Sequence, residues 1–248
     1  MTVCVALIQA RMSSSRFPGK VLEFIGGLTS IEFMVNRVRR ARLVDQVVVA
    51  TSTDISDDTL VTHLTRVGIP SFRGDLHDVL GRYVHAAAVY PADEYVRLTG
   101  DCPLIDPLVV DSVISLRRNH NADYSSNIDP PTYPDGLDCE CFTKAILMRA
   151  NTEAKLALER EHVTPWMRNS KADITRVNQR APCDASMLRL TVDYPEDLTA
   201  VRRVVELLGE DTAFDYFDIM RLLASNIEIV NANSHLQRES LSKTTGNR

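Results

Sequence analysis

The sequence predicts an α/β fold in which helices cover a mostly parallel sheet. Strand-like and helix-like segments alternate through the first half of the chain, and the first strand-like run, "VCVALI", is apolar or small throughout. A β-α-β-α order implies parallel strands joined by right-handed crossovers. A strand that is apolar on both faces is typical of a parallel sheet buried between helices.

The elements of the first half have recognisable ends. The predicted strands are "VCVALIQ", "QVVVAT" and "EYVRLTG"; the predicted helices are "SIEFMVNRVRRA", "DDTLVTHLTRVG", "DVLGRYVHAAAVY" and "DPLVVDSVISLRRN". Ser30 stands at the N-cap position of the first helix, and Gly68 and Pro70 follow the second as stop signals. Asp106 and Pro107 form the start of the fourth helix.

The second half departs from this alternation at the proline-rich stretch "NIDPPTYPDG", which predicts an ordered loop. The alternating "LDCECF" follows, then a long helical stretch, "NTEAKLALEREHVTPWMR", bent or ended near Pro165. We interpret residues 130–189 as a small inserted lobe within a single domain, 1–230. "MLRLTVD" then predicts a returning strand before the helices "PEDLTAVRRVVELLG" and "FDIMRLLAS". Residues 231–248 are polar and predicted to be disordered.

Composition excludes several functional classes. The chain has 248 residues, a net charge of −5 and no long basic stripe, so a nucleic-acid partner is not expected. It has no apolar run of membrane-spanning length and no signal-peptide pattern at its N-terminus, which predicts a cytoplasmic protein without a membrane partner. Five cysteines without a signal peptide indicate reduced thiols.

The loop after the first strand, "QARMSSSRFPGKVL", carries three cations, Arg11, Arg16 and Lys20. It matches neither a Walker A loop nor the G-x-G-x-x-G dinucleotide fingerprint. Its pattern is R-x-x-x-S-R-x-P-G-K, in which arginine forks, an ammonium group and the hydroxyl of Ser15 suit a polyphosphate. The alternative is a solvated loop with weak surface salt bridges. Three cations beside a rigid Pro-Gly turn favour phosphate binding.

This loop, in "IQARMSSSRFPGKVL", resembles the signature of the cytidylyltransferases that make CMP-activated acidic sugars, the CMP-Kdo and CMP-sialate synthetases. "VRLTGDCPLIDP" and "LTVDYPEDL" resemble the stretches that carry that family's two metal-binding aspartates. "YPDGLDCECF" with "EREHVTPWMR" resembles the subfamily linked to spore-coat polysaccharide biosynthesis. The resemblance covers the chain except its polar tail. It implies a Rossmann-like nucleotidyltransferase fold, with CTP and an acidic sugar as substrates.

The resemblance also implies roles for particular residues. Arg11, Arg16 and Lys20 would be catalytic by stabilising the charge on pyrophosphate. The nucleotide-binding residues would be Arg11, Ser15, Arg16, Lys20, Thr51, Ser52, Arg73, Asp78 and Arg82. Asp78 and Arg82 could instead be a helix cap and its i+4 ion pair.

Asp101 and Asp193 are the expected ligands of Mg²⁺, a hard cation that takes one or two carboxylates with phosphates and water. Each aspartate has an alternative interpretation as a helix cap or turn residue. For the acceptor we expect Asp138, Glu140, Arg160 and His162, because an acidic sugar needs a cation for its carboxylate and acceptors for its hydroxyls. Alternatively, the two carboxylates are a solvated strand face and the histidine is structural.

The sequence therefore predicts a Mg²⁺-dependent cytidylyltransferase that forms a CMP-sugar for surface polysaccharide biosynthesis. The alternatives are a glycosyltransferase of the related nucleotide-sugar fold, a cytidylyltransferase acting on a phosphonate, and a non-catalytic nucleotide-binding subunit. A glycosyltransferase usually carries D-x-D at its metal, whereas "GDCP" has one aspartate. Apolar faces in "LDCECF" and around Leu156, Leu158 and Trp166 predict a homodimer.

Overall fold

The computed structural model describes residues 2–169, 171–209, 211–236 and 238. Within them the strands are β1 Cys4–Gln9, β2 Phe24–Ile25, β3 Leu28–Thr29, β4 Gln46–Ser52, β5 Ser71–Gly74, β6 Glu94–Thr99, β7 Tyr124–Ser126, β8 Glu140–Thr143 and β9 Arg176–Asn178. The helices are α1 Ser30–Val38, α2 Asp58–Arg66, α3 Val79–Val89, α4 Pro107–Asn119, α5 Lys144–Glu153, α6 Ala157–His162, α7 Pro165–Arg168, α8 Pro195–Leu208, α9 Tyr216–Ser225 and α10 Ile227–Asn231.

A sheet with the strand order β5-β4-β1-β6-β8-β7-β9 organises the described residues. Neighbours β5, β4, β1 and β6 run parallel, β8 is antiparallel to both β6 and β7, and β9 is parallel to β7. Strands β2 and β3 form a separate antiparallel hairpin. The predicted α/β fold with a mostly parallel sheet is confirmed.

Strand β1 lies at the centre of this sheet and is buried on both faces. Ala6 and Ile8 pack into a core cluster that includes residues of α1. Val5 and Leu7 pack into a second cluster that includes residues of α3. Helices therefore cover both faces of the strand, as its uninterrupted apolar run predicted.

The segment 130–189 is built into the sheet through β8. Cys141 and Phe142 are fully buried, in the core clusters on opposite faces of the sheet. The segment that the sequence predicts as an inserted lobe therefore contributes two strands, β8 and β9, to the main sheet, and its helix α5 packs on α3.

Two predicted elements of the second half differ from the structure. The long helical stretch breaks at 163–164, next to Pro165 as predicted, but it also breaks at 154–156, so that it is divided among α5, α6 and α7. "MLRLTVD" is no regular strand in the described chain, because Arg189 makes only an isolated bridge with Asp135.

The predicted starts of the four helices in the first half are correct to within one residue. Asp106 caps α4 ahead of Pro107, as predicted. Helix α1 is capped by Thr29, whose hydroxyl accepts from the backbone of Glu32 in a reciprocal capping box, and Ser30 is the first helical residue.

The predicted polar tail begins with packed residues. Asn233 is buried, and its side chain donates to the Arg189 carbonyl and the Asp197 carboxylate. Arg238 contacts Asp138. The rest of the predicted tail, residue 237 and residues 239–248, lies outside the described residues. Among the helices that are described, none is long and apolar enough to cross a membrane.

Candidate active site

The cationic loop follows β1 and is anchored at its base. The Met12 amide donates to Asp57 Oδ1 at 2.7 Å, and the Met12 carbonyl accepts from the Gly19 amide at 2.9 Å. This closed turn places Lys20 in a short 3-10 helix, where it is mostly buried. The loop that the sequence predicts as a phosphate cradle is therefore a fixed part of the fold.

A cavity of about 380 Å³ opens beside this loop at the carboxyl ends of β1 and β6. Its walls bring together these predicted site residues: Arg11, Ser15, Arg16, Lys20, Arg82, Asp101, His162 and Asp193. Open parallel sheets bind ligands at this edge, so the cavity is the candidate active site.

Lys20 lies between the two predicted metal ligands. Its Nζ is 2.8 Å from Asp193 Oδ1 and 3.5 Å from Asp101 Oδ2. Arg16 Nη2 also lies 2.8 Å from Asp193 Oδ1, and its guanidinium stacks over the Tyr194 ring at 5.3 Å. Two cations of the loop, Arg16 and Lys20, therefore contact the carboxylates directly in the wall of the cavity.

These contacts fix the charge states of the group. Burial acts to raise the pKa of Asp193, but Lys20 and Arg16 outweigh it and lower that pKa to about 2. Burial acts to lower the pKa of Lys20, and the two carboxylates raise it above its ordinary value. Asp193 and Lys20 are therefore both charged at neutral pH.

Hydrogen bonds between two backbone segments bring the two carboxylates together. The Val192 amide donates to the Asp101 carbonyl at 2.7 Å, and the Thr191 hydroxyl donates to the same carbonyl at 3.0 Å. No cluster of three or more acidic, histidine or cysteine side chains suited to a metal occurs in the part of the chain that the structure describes. Two carboxylates that already share one cation suit Mg²⁺, which takes its other ligands from phosphates and water.

Arg189 lies behind Asp193 and was not predicted from the sequence. Its guanidinium contacts three carboxylates, those of Asp135, Asp193 and Asp197. Asp57, which anchors the loop, was also missed. Each lies in a stretch with several charged residues, so the sequence does not distinguish it from its charged neighbours. Only its contacts in the folded chain do.

Thr51 and Ser52, predicted to bind the nucleotide, lie in the interior. Both hydroxyls donate to Asp57 Oδ2, at 2.9 Å and 2.5 Å. Arg73, also predicted to bind nucleotide, donates to the Ser52 carbonyl at 2.8 Å and pairs with Asp58 at 2.7 Å. In this structure the three side chains are engaged in these contacts, and their role in nucleotide binding stays a prediction.

Arg82 and Asp78 differ in their placement. Arg82 lines the cavity and is buried, and its guanidinium donates to the carbonyls of Asp75 and Leu76. Asp78 caps α3 by accepting from the Gly81 amide, and it pairs with Arg160 at 2.6 Å. Burial acts to raise the pKa of Asp78, but the hydrogen bonds from Arg160 and Gly81 lower it.

The paired Asp78 and Arg160 line a second cavity of about 330 Å³, which borders the first and shares Arg11 and Glu161 with it. The expected acceptor residue Arg160 therefore lies beside the main cavity, while His162 lies in its wall.

The remaining acceptor residues, Asp138 and Glu140, are engaged elsewhere. Glu140 is buried between Arg97 and Tyr124, whose hydroxyl donates to it at 2.5 Å. Asp138 pairs with Arg238 at 2.5 Å. The alternative of a solvated strand face is wrong for Glu140, which is 1% exposed, and its role in acceptor binding stays a prediction.

His162 and Glu161 enter the cavity wall at the end of α6. The helix stops there because Val163 has φ +70° and ψ −55°, and the Thr164 amide bonds the His162 carbonyl at 2.8 Å. This is a three-residue γ-turn, a strained conformation for a valine. A buried, strained turn thus fixes where His162 faces the cavity.

Comparisons with known proteins agree with this geometry. Residues 5–223 match the family model for cytidylyltransferases. The spore coat polysaccharide biosynthesis protein SpsF of Bacillus subtilis is 32% identical over 89% of this chain and 93% of its own length. The 3-deoxy-manno-octulosonate cytidylyltransferase of Geobacter sulfurreducens is 37% identical over 44% of this chain and 43% of its own. The solved cytidylyltransferase of Leptospira borgpetersenii superposes with a TM-score of 0.88 at 30% identity, over 97% of this chain and 100% of that one.

Proposed function

Because this chain belongs to the cytidylyltransferase family, we propose that it transfers CMP from CTP to an acidic sugar of the nonulosonic or Kdo-like type, for surface polysaccharide biosynthesis. Mg²⁺ is the proposed cofactor and pyrophosphate the second product. One observation supports this proposal most directly: Arg16 and Lys20 of the loop meet Asp101 and Asp193 within one cavity. The names of two relatives, a spore coat polysaccharide protein and a sugar-acid cytidylyltransferase, support the acceptor class.

In the proposed reaction the anomeric hydroxyl oxygen of the sugar bonds to the α-phosphorus of CTP. The bond from that phosphorus to the bridging oxygen breaks, pyrophosphate leaves with the electron pair, and the hydroxyl proton passes to water. Arg11, Arg16 and Lys20 would stabilise the charge that accumulates on pyrophosphate. Positioning and charge neutralisation carry most such phosphoryl-type transfers.

Asp101 and Asp193 would hold the Mg²⁺ ion. When bound, this ion supplies Lewis-acid polarisation of the phosphate and lowers the pKa of a nearby hydroxyl. Arg82 donates only to backbone carbonyls in its described contacts and lines the cavity, so its charge is available to an anionic ligand.

The test is a screen for pyrophosphate release from CTP over a panel of acidic sugars and phosphonates, with and without Mg²⁺. We expect release with CTP, Mg²⁺ and an acidic sugar, and little with ATP, GTP or UTP. Pyrophosphate release only with a phosphonate would mean that the acceptor is a phosphonate and not an acidic sugar. Sugar transfer from a preformed nucleotide sugar would favour the glycosyltransferase alternative.

The matched variants are Arg16→Ala and Arg203→Ala. Arg203 pairs with Glu206 on an exposed face of α8, so its loss should leave turnover unchanged. Loss of Arg16 removes a charge-assisted contact worth about 1.5–3 kcal/mol before transition-state effects. Equal turnover in the two variants would contradict a phosphate role for the loop.

We also propose a cytoplasmic homodimer. CTP is a cytoplasmic nucleotide, which supports the location. Trp166, expected at the interface, is buried within its own chain, whereas Leu156 is 65% exposed and Met148 is 44% exposed. These apolar side chains on the α5–α6 region support a dimer contact there. Light scattering should give a dimer that Leu156→Asp weakens; a monomer at micromolar concentration would contradict this.

A further inference from the structure

Arg189 forms a charged contact with each of three aspartates. Its Nη1 lies 2.9 Å from Asp135 Oδ2, and its Nη2 lies 3.2 Å from Asp193 Oδ2. Its Nε lies 2.9 Å from Asp197 Oδ1, and Nη2 also donates to Asp197 Oδ2 at 3.0 Å. The side chain is 5% exposed. A planar fork with fixed donors can hold three carboxylates in one arrangement, which a flexible ammonium cannot.

Asp197 gives this arginine a rigid base. Its Oδ2 accepts from the amides of Asp193 and Tyr194, at 2.9 Å and 3.0 Å, at the start of α8. Asn233 donates to its Oδ1 at 2.9 Å. The Arg189–Asp197 pair is therefore hydrogen-bonded both to the backbone at the start of α8 and to the side chain of Asn233.

The two oxygens of Asp193 are divided between two sets of cations. Oδ2 faces Arg189, behind the site. Oδ1 faces Lys20 and Arg16, on the side of the cavity, at 2.8 Å from each. Asp197 holds the backbone of Asp193, but among these contacts only Arg189 holds its carboxylate group against the pull of the two loop cations.

We propose that Arg189 is a positioning residue for nucleotidyl transfer: by holding Oδ2 of Asp193, it presents Oδ1 to the cavity as the oxygen that binds a divalent cation. This inference rests on the proposed function, because it takes Asp193 as a metal ligand. Partners that orient a metal ligand typically contribute roughly ten- to hundredfold to metal affinity.

The experiment measures binding of Mn²⁺ to the full chain with CTP present, by electron paramagnetic resonance. Arg189→Lys keeps the positive charge and loses the fork, and Arg189→Gln removes the charge. Arg202→Lys is the matched control, since Arg202 pairs with Glu23 on the surface. CTP affinity without metal and the melting temperature are measured for each variant. A merely structural arginine would change the melting temperature alone.

We expect Mn²⁺ affinity to fall by roughly tenfold or more in Arg189→Lys and further in Arg189→Gln, with CTP affinity changed by less than about threefold. Arg202→Lys should match the wild type. Unchanged Mn²⁺ affinity in folded Arg189→Lys, with wild-type binding that Asp193→Asn abolishes, would overturn the positioning role and leave the metal site standing. Wild-type Mn²⁺ binding that Asp193→Asn leaves unchanged would overturn both. If Arg189→Gln does not fold, Arg189→Lys decides.

Discussion

At the residue scale, Lys20 has two kinds of partner, carboxylates and phosphates, and it cannot contact both kinds at once. Its ammonium group neutralises Asp101 and Asp193 in this structure. In the proposed reaction the same group must face the phosphates of CTP. A positive charge between two carboxylates also opposes a divalent cation in the same place, because near a protein surface two unit charges about 4 Å apart repel by about 4 kcal/mol and a divalent ion is repelled about twice as strongly. Nucleotide binding should therefore draw Lys20 away from the carboxylates and favour metal binding.

We predict that Lys20→Met binds Mn²⁺ more tightly than the wild type when no nucleotide is present. Methionine keeps similar length and removes the competing charge, so affinity should rise by roughly tenfold, about 1.4 kcal/mol. CTP affinity should fall in the same variant. Electron paramagnetic resonance of free Mn²⁺ measures the first and calorimetry the second.

The control for this prediction is the double variant Lys20→Met with Asp193→Asn, which removes the competing cation and one ligand together. Its Mn²⁺ affinity should return to or below the wild-type value. A Lys20→Met variant that binds Mn²⁺ no more tightly than the wild type would show that Lys20 does not compete with the metal.

At the element scale, two segments cross tightly behind the site. The Asp135 amide donates to the Leu188 carbonyl at 2.9 Å, and the Leu190 amide donates to the Asp135 carbonyl at 2.6 Å. Gly136 lies at this crossing with φ +104°, and a Cβ there would come within 2.4 Å of the backbone of Leu190 and Thr191. The crossing positions Arg189, so its geometry reaches the candidate metal site.

We predict that Gly136→Ala destabilises the protein by at least about 2 kcal/mol, because backbone must move in addition to the strain of positive φ. Gly209→Ala is the matched control: Gly209 has φ +105°, and its added Cβ would meet only Asp211 Oδ1 at 3.8 Å. Denaturant unfolding measures both. Equal losses would mean that the crossing relaxes at little cost.

Asp106 joins two helices through one buried carboxylate. Its Oδ1 accepts from the amides of Leu108 and Val109, which caps α4. Its Oδ2 accepts from the Tyr216 amide at 2.6 Å, at the start of α9. Because an asparagine has one acceptor oxygen, Asp106→Asn can keep the cap and must lose the bond from Tyr216.

We predict a loss of roughly 2–4 kcal/mol for Asp106→Ala and about half of that for Asp106→Asn. Both variants remove the same charge near Arg37, so their difference measures the cap. Urea unfolding at pH 7 gives the two values. If the variants were equally unstable, the cap would contribute nothing, and the loss would come from the charge and the bond from Tyr216, which both variants remove.

Local sequence signals predict an element well where neighbouring residues, such as a cap and a proline, are enough to define its ends. Asp106 followed by Pro107 fixes the start of α4 by capping and a preset φ, so the sequence is enough. The break of the long helical stretch near Pro165 is predicted from the proline itself. The γ-turn at Val163 that forms this break is not, because it is a conformation that an isolated valine avoids. "MLRLTVD" has the pattern of a strand, yet its hydrogen bonds go to Asp101 and Asp135, far away in the sequence.

At the scale of the whole molecule, the same distinction applies to the site. The loop cations and Asp101 could be predicted to meet because the carboxyl ends of parallel strands share one edge. Asp57 could not, since it anchors the loop through Met12, far away in the sequence. Arg189 could not either, because its contact with Asp193 lies within an irregular segment and its contact with Asp135 is long-range. The alternating pattern around Glu140 suggests a solvated face, but β8 lies between two other strands, which leaves the carboxylate in the interior.

Glu140 links the parallel part of the sheet to its antiparallel extension. It lies on β8, its ion-pair partner Arg97 lies on β6, and Tyr124 lies on β7. Burial acts to raise the pKa of Glu140, but Arg97 and the Tyr124 hydroxyl outweigh it, so the pKa is lowered. A carboxyl group with a lowered pKa in the folded state adds stability above its unfolded pKa and loses it as pH falls through the folded value.

We predict that Glu140→Gln lowers the free energy of unfolding by roughly 3–5 kcal/mol at pH 7, because it leaves Arg97 buried without its counter-charge. The difference from the wild type should narrow as pH falls below about 4.5, where the carboxylate of the unfolded chain takes up a proton while that of the folded chain, with its lowered pKa, stays charged to a lower pH. Glu153→Gln is the control, since Glu153 pairs with Arg149 on an exposed face and should cost no more than about 0.5 kcal/mol. Denaturant unfolding at pH 7 and pH 4 measures both variants. If the difference in unfolding free energy were independent of pH, the effect of Glu140 would come from its shape and hydrogen bonds and not from its charge. If Glu140→Gln cost as little as Glu153→Gln, the two parts of the sheet would hold together without the buried ion pair.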